Sequence, residues 1–190
     1  REICVLSEVR LIGQPTGDLA VERFAADDAF GGGDNDDATV FDRAVCPLVE
    51  TVLRGSQAAL IAFGQTGAGK THTSVAMQRR AGSALLNSPA IASLEVSFLE
   101  ICGDALSDLL VIADEEDAAA SRPPLSLREN ANGQLVVTGL RRIAVTTVEE
   151  ADKVLADANR LRAAAPTSAN ERSSRSHAIC TLRPLRAAAS

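Results

Sequence analysis

The stretch Ala58 to Thr73, Ala-Ala-Leu-Ile-Ala-Phe-Gly-Gln-Thr-Gly-Ala-Gly-Lys-Thr-His-Thr, constrains this chain more than any other. A short apolar run, Ala58 to Phe63, reads as a buried strand and leads directly into Gly64-x-x-x-x-Gly69-Lys70-Thr71, the phosphate-loop pattern. The pattern answers a physical requirement. Backbone N–H groups must curl around phosphate oxygens, and Gly64, Gly67 and Gly69 permit conformations and a close approach that a side chain would block. A helix starting near Lys70 aims its first N–H groups and positive dipole end at the anion. Lys70 brings a full charge to the β- and γ-phosphates, and the Thr71 hydroxyl can enter the coordination shell of Mg2+. The expected ligand is a nucleoside triphosphate.

The rest of the chain is long enough to build a core around that loop. Its 190 residues are 46% hydrophobic, which suits one domain rather than two large ones. With five Phe and no Trp or Tyr, that core rests on Ala, Val, Leu and Ile. No run is long enough to cross a membrane and no charged-then-apolar leader opens the chain, so a soluble, intracellular protein of the cytoplasm is expected. The four cysteines, Cys4, Cys46, Cys102 and Cys180, form no Cys-x-x-Cys pair, and there are two histidines. This disfavours zinc and favours reduced, packed thiols. Residues 1–120 hold 8 basic and 19 acidic side chains, whereas residues 121–190 hold 11 and 6. That balance argues against a purely electrostatic nucleic-acid binder.

In order along the chain, Ile3 to Ile12 and Leu19 to Phe24 read as strands of a small hairpin, with residues 31–37 as a loop. From Ala38 to Arg54 apolar residues recur four apart on one helical face, and Pro47 should kink or divide this helix at Cys46. The helix after the phosphate loop is expected to continue towards Arg80. Leu94 to Ile101 reads as a second buried strand, and Ala105 to Ile112 as a short helix or turn. Residues 113–124 read as a loop. Asn132-Gly133 predicts a hairpin between Leu125–Arg128 and Gln134–Leu140. Thr147-x-x-Glu150 is a capping box opening a helix in which Val148, Ala151, Val154, Leu155, Ala158 and Leu161 share a face. Strands alternating with helices around a phosphate loop indicate an α/β sheet with added antiparallel hairpins.

A second stretch, Asn170-Glu171-Arg172-Ser173-Ser174-Arg175-Ser176-His177, is Ser/Arg-rich and by itself fits a surface loop. Beside a phosphate loop it has a sharper meaning, because a nucleotide hydrolase needs a segment whose hydroxyls sense the γ-phosphate and Mg2+. Together these two stretches resemble the phosphate loop and switch I of the kinesin motor domain. Further similarities lie in the family's order. They are Phe24-Ala-Ala-Asp27-Asp28-Ala-Phe30, Pro47-Leu48-Val49 with Leu53-x-Gly55, Val96 to Ile101 with Asp108-Leu109-Leu110, and Leu127-x-Glu129 with Gly133, Val137, Gly139 and Leu140.

The resemblance implies an α/β, P-loop NTPase-type three-layer sandwich with a mixed central sheet. On this view residues 1–190 are an incomplete motor domain, and residues 183–190 a disordered tail. It implies ATP and Mg2+ as ligands and microtubules as partner, with no nucleic acid or membrane, and a place on the cytoskeleton. Lys70 and the loop Gly64, Gln65, Thr66, Gly67, Ala68 and Gly69 would bind the phosphates. Thr71 and Ser174 would hold Mg2+, and His72 would lie against the adenine. Asn170 and Ser173 would position the attacking water or grip the γ-phosphate, and Arg175 would latch switch I to switch II. His177 is expected to be a packed structural residue.

The chain departs from the family pattern in several places. The family's first strand with its Arg-x-Arg-Pro segment has no counterpart, nor has switch II, Asp-x-x-Gly-x-Glu. Exposed apolar strand edges are therefore expected. The alternative to an ATP-driven motor is a truncated or degenerate module that binds nucleotide or a partner without hydrolysis.

Overall fold

The computed structural model describes residues 2–9, 18–31, 36–110, 125–164 and 176–187. Contacts divide the chain into two compact units, Arg1–Val40 and Phe41–Ser190. In the first, β1 (Glu2–Val9) and β2 (Asp18–Ala25) pair antiparallel from Glu2↔Ala25 to Val9↔Asp18, the hairpin expected from their apolar runs. One helical turn, α1 (Asp37–Val40), closes this unit. Asp36 starts it, its carboxylate accepting the N–H groups of Ala38 and Thr39 at 2.8 and 2.9 Å.

The second unit opens with a π-helical segment, Phe41–Val45, followed by α2 (Cys46–Leu53) with Pro47 in its first turn. Proline lacks the N–H that an uninterrupted ladder needs, so the irregularity falls just before it, at the division expected at Cys46. Phe41, Val45 and Val49 are buried at four-residue spacing, and Gly55 ends the helix at φ +95°.

The core of this unit is built on β3 (Ile91–Cys102). Strands β4 (Ala105–Asp108) and β7 (Ile143–Val145) pair with the two halves of one edge, Leu99–Cys102 and Leu94–Val96. Strand β8 (Ser176–Arg186) runs along the other edge from Cys102↔Ser176 to Ile91↔Arg186. All three pairings are antiparallel. Strands β5 (Ser126–Glu129) and β6 (Leu135–Thr138) form a separate hairpin at the Asn-Gly turn, where Gly133 takes φ +74° and Asn130 Oδ1 accepts from the Asn132 and Gln134 amides.

Two helices, α3 (Lys70–Leu86) and α4 (Val148–Ala164), pack on each other and on β3. Arg79 on α3 reaches Asp152 on α4 through two hydrogen bonds of 3.1 and 2.6 Å, and Asn159 donates to Gln78 at 3.2 Å. Asp152 accordingly holds the Arg79 guanidinium above its ordinary pKa, first by hydrogen bonding and then by charge. Leu94, Val96 and Phe98 on β3 and Leu155 and Ala158 on α4 are fully buried.

Several elements differ from the sequence reading. Ala105–Asp108 is a strand, not a helix or turn, because Gly103 at φ +58° allows a tight return onto β3. Helix α3 continues past Arg80 to Leu86, since Met77 and Leu85 bury one stripe and Gly82 lies near Leu155. Residues 183–186 are strand rather than disordered tail. They pair with β3, and the Ala187 N–H donates to Ala90 O at 3.1 Å. Pro184 is tolerated there because β8 pairs with β3 alone among the described strands, as an edge strand does. Residues 113–124, read as a loop, lie outside the described residues, as do residues 32–35 of the segment 31–37.

The capping box at α4 forms as the sequence requires. Glu150 N–H donates to Thr147 Oγ1 at 3.2 Å, and Glu150 Oε2 accepts from the amides of Thr146 and Thr147 at 2.7 and 3.3 Å. The backbone bond from Thr146, with help from its hydroxyl and the Thr147 amide, lowers the Glu150 pKa. A depressed folded-state pKa gives stability that is present above the unfolded value, about 4.3, and lost as pH falls through the lower folded value. Thermal melts should therefore show wild type more stable than Glu150→Gln at pH 6, with the gap narrowing steadily as the pH is taken below about 4.3. A gap independent of pH would contradict this linkage.

Candidate nucleotide site

Gly64, Gly67 and Gly69 all have positive φ, +149°, +85° and +80°, so the backbone from Gly64 to Gly69 curls as a side chain at those positions would resist. Among the described residues other than the glycine's own chain neighbours, nothing lies within 4 Å of where a side chain would start at Gly67 or Gly69, so conformation rather than space excludes other residues there. The loop turns on itself through Ala68 N–H to Gln65 O at 3.3 Å. Gly69 then starts α3 without a side-chain cap. The hydrogen bond from Thr73 N–H to Gly69 O, 3.1 Å, marks the first helical turn, whose leading amides at Lys70 and Thr71 have no acceptor inside the helix.

Lys70 is tied back onto the loop that precedes it. Its Nζ donates to Gln65 O at 2.6 Å, which folds the ammonium back over the glycine loop. Positive charge, curled backbone and helix N-terminus thus converge on one small volume, and every one of them favours an anion. Residues 64–69 and Thr71 to Thr73 are exposed, so the loop is open to a ligand. Among the described residues no cluster of His, Cys, Asp or Glu could by itself hold a metal ion.

The run Ala58 to Phe63 is not a buried strand. It has no regular structure, and Leu60, Ile61 and Phe63 are 50%, 83% and 96% exposed. A strand exists only through its partners, and none of the described strands pairs with this run. Asn170, Ser173, Ser174 and Arg175 lie outside the described residues. The structure therefore brings together Gly64 to Thr71, with His72 on the first turn of α3. His177 is exposed on β8 opposite Ile101, not packed as expected, because strand alternation turns Ser176 inward instead. Burial pushes the Cys180 thiol up to about 12, which fits the reduced, packed role expected of it.

Residues 12–188 match the family model of the kinesin motor domain. The chain belongs to the kinesin motor family. The kinesin-like protein KIN-4A of Oryza sativa subsp. japonica is 31% identical over 90% of the chain and 19% of its own length. Kinesin-like protein 5 of Schizosaccharomyces pombe is 34% identical over 74% of the chain and 17% of its own length. The fold is that of a kinesin motor. It matches the solved structure of a fast kinesin, described for its ATPase mechanism and interactions with microtubules, at a TM-score of 0.70 and 25% identity. That match covers 94% of this chain and 57% of the other. The chain thus spans less than a fifth of the length of these curated kinesin relatives. No helix among the described residues is long and apolar enough to cross a membrane.

One contact among three residues was not assigned from the sequence. Glu100 is buried on β3, where Ser176 Oγ donates to its Oε1 at 2.9 Å and Arg162 Nε lies 3.8 Å from the same oxygen. The signal was available for two of them. Arg162 continues the buried α4 stripe Ala151, Leu155, Ala158 at helical spacing, and Glu100 continues the buried β3 face Leu94, Val96, Phe98 at strand spacing.

Proposed function

We propose that this chain is the nucleotide-binding part of a microtubule-stimulated ATPase that drives movement along microtubules, and so acts on the cytoskeleton. The observation that carries the reading is the Lys70 ammonium held over a glycine loop at the N-terminus of α3, within a chain of the kinesin family. In this reading Lys70 and the loop amides from Gly64 to Gly69 bind the β- and γ-phosphates of ATP, and His72 lies against the base. Thr71, with Ser174, would hold Mg2+, which when bound neutralises charge on the phosphate oxygens. Asn170 and Ser173 position the attacking water, and Arg175 supplies the ion pair that latches their segment. Each of these groups orients or stabilises charge; none needs to form a covalent bond, as phosphoryl transfer allows.

The test is phosphate release by the full-length protein with and without polymerised tubulin. Release that rises at least about tenfold with microtubules is expected of a filament-gated conformational step. Release indifferent to microtubules, or none at all, would overturn the reading.

A further inference from the structure

The carboxylate of Glu100 has no place in a core built only for packing. Its side chain is 4% exposed, on the same strand face as the fully buried Leu94, Val96 and Phe98. A buried carboxylate is costly unless it is hydrogen-bonded and paired. Two of its partners, Arg162 and Ser176, come from particular places. Arg162, 21% exposed, stands in the last turn of α4, just before residues 165–175. Ser176 is the first residue of β8, just after them. Register brings the second contact within reach: with Glu100 opposite Ala178 and Cys102 opposite Ser176, the serine is the diagonal neighbour of Glu100 on the ladder. A one-residue slip of β8 would turn Ser176 to the other face and break it.

We propose that Glu100 is a positioning residue that ties the end of α4 to the start of β8. It thereby sets the two points between which Asn170, Ser173, Ser174 and Arg175 are strung. The inference rests on the role proposed above for those four residues. Glu100 does not touch nucleotide. It acts through Arg162 and Ser176, so it should govern the rate of hydrolysis more than the affinity for ATP. The Gly64–Thr71 loop, which supplies that affinity, is anchored on α3 instead.

The experiment measures kcat, KM for ATP and melting temperature in the full-length protein carrying Ser176→Ala, Ser176→Thr or Glu100→Gln, beside Lys70→Ala. Misplacing a reacting geometry by about 1 Å costs on the order of 10²-fold. Ser176→Ala and Glu100→Gln should therefore lower kcat by at least about tenfold, with KM within about threefold of wild type. Ser176→Thr, which keeps the hydroxyl on a strand-compatible side chain, should restore kcat. Ser176→Ala and Glu100→Gln each leave a buried partner short, so melting temperatures should fall by several degrees but by less than about 15 °C, with Ser176→Thr close to wild type. Wild-type kcat in both Ser176→Ala and Glu100→Gln would overturn the proposal. So would a kcat loss that Ser176→Thr fails to rescue, or one that follows a collapse in melting temperature. If Lys70→Ala turns over ATP like wild type, the functional reading itself has failed. If Lys70→Ala is inactive while Ser176→Ala and Glu100→Gln are normal, only the role of Glu100 has failed.

Discussion

Phe98→Ala is expected to destabilise the Phe41–Ser190 unit by about 3–5 kcal/mol, the range for deleting a buried aromatic ring. Phe98 lies at the middle of β3 and is 0% exposed. Its strand is held on both edges, by Cys180 of β8 opposite it and by the Leu109 N–H donating to Phe98 O at 2.9 Å. Because the backbone is tied from both sides, neighbours have little freedom to collapse into the space left behind, which places the cost towards the upper end. Aromatic side chains are few here, five Phe in 190 residues, so a single ring is a large share of the packing volume. A domain of ordinary stability has about 5–15 kcal/mol in total. Urea denaturation should accordingly show a much lower midpoint with an unchanged slope, and a stability loss of less than about 1 kcal/mol would contradict the placement of Phe98 at the centre of the core.

Lys70→Ala should have the opposite profile, with the fold intact and turnover lost. Among the described residues the side chain hydrogen-bonds the Gln65 carbonyl alone, in an exposed loop, so its removal exposes no buried group. Surface changes of this kind stay within about 0.5 kcal/mol. For the reaction the same ammonium would be a fixed charge aimed at the transferred phosphoryl group. Removing one such preorganised donor costs on the order of 10²–10³ in kcat. Lys70→Ala should therefore melt like wild type and lose at least about a hundredfold in ATP turnover. Normal turnover in that variant would remove the chemical basis of the site.

How much of this was legible depended on how local the determining forces are. The α4 capping box closes within four residues, the Asn132-Gly133 turn within a hairpin, and the break before Pro47 within one helical turn. All three are visible in the structure. The glycine loop belongs with them, because positive φ at Gly64, Gly67 and Gly69 is a property of residue type. What could not be read depends on distant partners. Ala58 to Phe63 has strand composition, but pairing decides whether it is a strand. Arg183-Pro184-Leu185-Arg186 looks like the start of an unstructured tail until Leu94 and its neighbours on β3 are set beside it. Glu100 looked like the polar end of a strand. Its meaning came from Arg162 and Ser176, which only the packing of α4 and the register of β8 bring to it.

The most direct measurement of the central claim is an amide NMR titration of the 15N-labelled protein with Mg2+ and ATP. The Gly67, Gly69, Lys70 and Thr71 amides should shift together and saturably, because the proposed phosphate position lies against the loop and the N-terminus of α3. The same titration of Lys70→Ala should show weaker, higher-concentration shifts at these positions. Resonances from Gly64 to Thr71 that stay fixed while ATP binds elsewhere, or a spectrum that ATP leaves unchanged, would contradict the account.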